Sequence, residues 1–128
     1  MKEKHSLLIG AIFAGIGVVL GAFGAHALED LVSADRLTTW EMAVQYQIYH
    51  ALALILVGIL QRIHPSQKLL ERSSLLFTLG IIIFSGSLYA LVLLNIGWLG
   101  AITPTGGISF IAAWLILAIG IGKKEKDI

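Results

Sequence analysis

The 128 residues are 57% hydrophobic and only 13% charged, with a mean hydropathy of +0.88; a water-facing surface needs about a quarter charged residues, which excludes an ordinary soluble domain. Nine Lys and Arg against eight Asp and Glu leave a net charge of +1 and no basic surplus with which to bind nucleic acid. The absence of cysteine excludes disulfides, thiolate metal sites and thiol catalysis.

Four apolar runs follow one another at about residues 6–27, 42–60, 74–94 and 104–122, each near the ~20 residues that cross a bilayer as a helix. They are continuously apolar rather than alternating, so helices are expected and a barrel is not. The fold class is therefore all-α: a polytopic membrane protein, a four-transmembrane-helix bundle forming one integral membrane domain over residues 1–128. Thr38 to Glu41 reads as a capping box opening the second helix. Pro65 marks the turn before the third span, and residues 67–73 read as its interfacial start. Thr103 and Pro104 suit an N-cap and first helical position for the fourth.

The basic residues set an orientation. Lys2 and Lys4, then Arg62, Lys68 and Arg72, then Lys123, Lys124 and Lys126 fall in segments on one side, against Arg36 alone on the other. The positive-inside rule then puts both termini in the cytoplasm, with Trp40 and Trp98 expected as anchors at the outer interface. The alternative is a signal peptide cleaved after Ala25-His26-Ala27. Its apolar stretch, residues 7–23, exceeds the usual ~7–15 residues of a signal core, and cleavage would break the charge pattern. Retention is expected.

Span one carries small residues at Gly10, Ala14, Gly17, Gly21 and Gly24, spaced by four or three. Such a stripe lets helix backbones approach closely, which matters where lipid gives apolar side chains no reason to associate. Central packing within its own bundle is favoured over a dedicated dimer face. Gly86 with Ala90, and Gly106-Gly107, are expected to supply other close contacts.

No Asp, Glu, Lys or Arg lies deep in any span, whereas proton-coupled transporters keep an ionisable group there. A neutral polar set remains, weighted to the outer half: His26, Gln47, His50, Ser85, Tyr89 and Thr103, with Gln45, Tyr46, Tyr49, Ser87, Asn95 and Thr105 around them. These groups need partners on neighbouring helices, so they should converge in the bundle interior or in a wet outer cavity. Haem between His26 and His50 fails on depth, because by helical rise the two lie ~15 Å and ~3 Å from the middle of their spans. No carboxylate or cysteine accompanies them for a metal. Ser85-Gly86-Ser87 lacks the setting of a nucleophile elbow, and no phosphate loop or dinucleotide fingerprint is present.

Four strings together, Gly21-Ala22-Phe23-Gly24-Ala25-His26, Tyr46-Gln47-Ile48-Tyr49-His50-Ala51-Leu52-Ala53, Phe84-Ser85-Gly86-Ser87-Leu88-Tyr89 and Thr103-Pro104-Thr105-Gly106-Gly107, resemble the family called domain of unknown function 423, whose animal relatives are named transmembrane protein 256. The resemblance runs from span one through Trp114; Thr105 departs from it, standing where the family has an aliphatic residue. It implies a small four-helix protein of the bacterial plasma membrane without an established activity, and it supplies no catalytic residues. The expectation is a multi-pass, non-enzymatic membrane protein with no cofactor and a structural or accessory role. Its partners would be membrane lipids and either further copies of itself or another membrane protein. The alternative is a transporter or binding pocket that receives a small neutral or amphipathic ligand in the outer polar cluster.

Overall fold

The computed structural model describes residues 1–123 and is all-helical over its regular elements; Lys124 and Lys126 of the basic tail lie outside the described residues. Four helices are long and apolar enough to cross a membrane. They are α1 (Glu3–Leu28), α2 (Ala34–Ile63), α3 (Lys68–Leu94) and α4 (Thr103–Gly122), the last preceded by a 3-10 segment at Gly97–Ala101. Each outlasts its apolar run because polar residues at its ends still favour helix.

Helix starts differ from the expected caps. Ser33, not Thr38, caps α2, its hydroxyl accepting from the Arg36 N–H at 3.2 Å. Thr38 and Thr39 lie inside the helix and donate back to the carbonyls of Ala34 and Asp35. The chain therefore turns into α2 five residues earlier than the capping-box pattern suggests. Pro104 does occupy the first turn of α4, where its missing N–H costs nothing. Thr103 makes no cap; its hydroxyl lies 2.6 Å from Ser87 Oγ on α3. Asn95 ends α3 in the left-handed region at φ 54°, a conformation its short polar side chain tolerates.

α1 packs on α2 and α4 packs on α3, with α2 and α3 packed together in the middle. Half of the apolar window of α2 and of α3 is buried, against 28% for the last span and 11% for α1. The glycine-rich helix is thus peripheral, not central. Its stripe is nevertheless in use: a Cβ at Gly10 would lie 2.8 Å from the Ala51 carbonyl oxygen. At Gly17 it would meet Ile48, at Gly21 Val44, and at Gly24 the Trp40 ring, while Ala14 is half-buried on the same helix. The counterpart between α3 and α4 is Gly106, where a Cβ would lie 2.8 Å from Phe84 Cα; Gly86 meets nothing within 4 Å.

Two of the helices contain a π-turn, Leu20–Gly24 in α1 and Ile81–Ser85 in α3. A π-turn holds one residue more than an α-turn, so the helix wall bulges locally. The residues flanking both have helical dihedral angles, and no sequence pattern announces them.

Candidate functional site

The polar side chains of the spans meet chiefly as bonds between helices. Gln47, 3% exposed on α2, donates from Nε2 to the Phe13 carbonyl of α1 at 2.8 Å and accepts the Tyr89 hydroxyl of α3 on Oε1 at 2.6 Å. One amide thereby ties three helices. Ser85, closing the π-turn of α3, donates to the Ala43 carbonyl of α2 at 2.7 Å. Trp40 donates from Nε1 to the carbonyl of Leu20, the first residue of the other π-turn, at 2.9 Å, and its ring lies 4.7 Å from that of Tyr89. Both bulges therefore face the same stretch of α2. Trp40, only 4% exposed, is an interior residue rather than an interfacial anchor; Trp98, 68% exposed, keeps the surface position expected of it.

His50 is held on both ring nitrogens. Nδ1 lies 2.7 Å from the Tyr46 carbonyl, an acceptor, so Nδ1 carries the proton. Nε2 is then the acceptor for Trp114 Nε1–H of α4 at 3.2 Å. The imidazole stacks on Phe110 at 3.6 Å between centroids and 10° between planes, with the ring of Phe77 nearby. This arrangement describes a neutral, packed histidine whose lone pair is in use, with none left for iron or another metal. Among the described residues no group of three or more His, Asp and Glu could hold a metal ion. His26 is exposed and lies beside Glu29 and Glu41 on the rim of a shallow cleft, apart from His50.

The six expected polar residues thus divide. Gln47, Ser85 and Tyr89 join around α2, with His50 one turn further along it. Thr103 pairs separately with Ser87, and His26 stands outside. A second set, not singled out by the sequence, works at the opposite end. Ser73 bonds the Ala113 carbonyl, Ser109 the Leu76 carbonyl and Gln67 the Gly120 carbonyl, tying α3 to α4. Ser6 donates to Gln61 at 2.6 Å, and Gln61 and Ser74 both donate to the Met1 carbonyl. Among the described residues no buried side-chain nitrogen or oxygen is left without a partner. A serine or glutamine facing a helix gives no sequence sign of which neighbour's carbonyl it will meet.

The polar groups around α2 stand apart from the surface clefts, whereas Gln61 and Gln67 of the second set line the one beside Glu71. One of about 560 Å³ opens at the end of the bundle that carries the α1–α2 connection, with Arg36 in its wall. Smaller ones of about 190 and 240 Å³ lie beside Trp40 and beside Glu71. None of the three includes Gln47, His50, Ser85, Tyr89 or Thr103.

Four long apolar helices, joined by side-chain bonds to one another's backbones, define a small polytopic membrane protein. The model of the family described as "Protein of unknown function (DUF423)" matches residues 20–107, and the chain belongs to that family. It is 48% identical to a UPF0382 membrane protein of Staphylococcus saprophyticus over 120 residues, covering 94% of this chain and 98% of the relative. It is 42% identical to a UPF0382 membrane protein of Bacillus subtilis with the same coverages, 94% and 98%. No solved structure matches. The family is one of unknown function, with no biochemical activity established for it.

Proposed function

We propose that this protein is a non-enzymatic structural or accessory component of the cell membrane, with both termini in the cytoplasm. The observation that carries the reading is the use made of the interior polar groups. Gln47, His50, Ser85 and Tyr89 are hydrogen-bonded to backbone, to each other or to Trp114, which leaves none of them directed at a reactant. What the protein offers its surroundings is apolar surface, above all α1, where Val18, Val19 and Phe23 are 61%, 53% and 71% exposed. Lipids cover that surface, and a second copy or another membrane protein is its proposed partner.

The partner part is tested by crosslinking in native membranes from a single cysteine at Phe23, the natural chain having none. A discrete adduct with a second copy or another membrane protein is the expected result. A chain that stays monomeric and unattached in membranes and in mild detergent would sink this part. Orientation is supported by the asymmetry of the basic residues. A reporter active only in the cytoplasm should work when fused to the C-terminus and fail when inserted between α1 and α2; the reverse pattern overturns the topology. His50→Gln that folds normally yet abolishes a measurable transport activity would replace this reading with the ligand-pocket one.

A further inference from the structure

The cleft of about 560 Å³ has two unlike walls. Leu28 at the end of α1 and Leu31 just beyond it, with Val92 and Leu93 from the end of α3, make an apolar channel. Leu31 and Leu93 are 77% and 60% exposed, so the channel runs out onto the lipid-facing surface. The polar wall holds Arg36, Ser33 and Asn95. Arg36, in the first turn of α2, is the sole basic residue at this end of the bundle among the described residues. It is half-buried, and among the described residues its guanidinium has neither a carboxylate within ion-pair distance nor a hydrogen-bond acceptor. Its Nη2 reaches across to Gly97, lying 3.8 Å from where a Cβ would stand there.

An unpaired guanidinium at the head of an apolar channel, at the level where a bilayer carries its phosphates, matches an amphiphile. A free phosphate ion would have no use for the leucine wall. Asp30, just after α1, and Asp35, in the first turn of α2, flank the cleft residues in sequence, both exposed and neither lining the cleft. Those carboxylates repel a headgroup of net negative charge and attract an ammonium. We propose that this cleft seats one phospholipid with an ammonium-bearing headgroup. Its phosphodiester pairs with Arg36, its acyl chain lies along Leu31 and Leu93, and its ammonium faces Asp30 and Asp35. A planar guanidinium recognises phosphate oxygens bidentately, which is what fixes the lipid's register. The assignment goes beyond the accessory role and does not depend on it.

The test is native mass spectrometry of the full chain in detergent, titrated separately with phosphatidylethanolamine, phosphatidylglycerol and inorganic phosphate. One phosphatidylethanolamine per chain should be retained, at least about tenfold more tightly than phosphatidylglycerol, and inorganic phosphate should not displace it. Arg36→Gln should weaken retention about tenfold with an unchanged melting temperature. Equal retention by that folded variant overturns the proposal, as does phosphatidylglycerol binding equally well or displacement by inorganic phosphate. Should Arg36→Gln fail to fold, Leu31→Gln decides: weakened retention supports the cleft, and unchanged retention places the lipid elsewhere.

Discussion

His50 carries one of the plainer pieces of chemistry in this protein, because each ring nitrogen has one partner of one kind. Removing the ring strands the Trp114 N–H in an apolar setting, and an unmet donor costs about 1–3 kcal/mol. His50→Leu is therefore expected to lower the unfolding temperature in detergent. Adding Trp114→Phe should cost little more, since the orphaned donor leaves with it. Interhelical hydrogen bonds in membranes average only about 0.6 kcal/mol in double-mutant cycles, so a coupling near that value is the expected readout; none at all would mean that stacking on Phe110 is the whole of the role. Gln47→Leu should be the costlier change, as it strands the Tyr89 hydroxyl and also removes the bond to the Phe13 carbonyl. The sequence pointed to His50, Gln47, Ser85 and Tyr89 because polar residues stand out in apolar runs. It placed Trp40 at the outer interface, not in the interior, and was silent on Trp114, because the partner of an indole N–H is not written in the sequence.

Among the helices, glycine positions differ by what stands opposite them. At Gly106 a new methyl would meet Phe84 main chain, which cannot swing aside, and overpacking of this kind costs about 1–3 kcal/mol. At Gly17 it would meet Ile48 Cγ1 at 2.7 Å, a side-chain atom with more room to give than main chain. At Gly15 it would meet nothing within 4 Å. Thermal unfolding should therefore rank Gly106→Ala as most damaging, Gly17→Ala as intermediate and Gly15→Ala as neutral. Helix number and approximate extent were legible from apolar run length, and the close contacts of α1 from its glycine spacing. The peripheral place of α1 was not, because a small-residue stripe specifies a close neighbour without saying how many there are. The π-turns were equally hidden, lying in ordinary apolar sequence and serving contacts with α2 that only the assembled bundle creates.

At the scale of the molecule, the four recognition strings fall largely in one place. Gly24 lies against Trp40, Ser85 and Tyr89 against α2, and Thr103 and Gly106 against α3. What identifies the family is thus, in this chain, mainly the joinery of one end of the bundle. Cysteines at Gly17 and Ile48 should crosslink readily within one chain, because those positions face each other. A pair at Val18 and Leu115, on the exposed surfaces of the outlying helices α1 and α4, should join only between chains; efficient closure within one chain at high dilution would contradict the arrangement of the four helices.

That arrangement also bears on how the protein is made. Each helix packs on the one synthesised just before it, so α1 and α2 can close as a hairpin while α3 is still on the ribosome, and α4 can settle on α3 as it arrives. Two contacts have to wait for a distant span: that of the N-terminal Met1 and Lys2 with α3 at Glu71, and that of α4 with α2, made through Phe110 and Trp114 on His50. The second cannot form until the last span is in the membrane, so the bond between Trp114 and His50 is among the last to close.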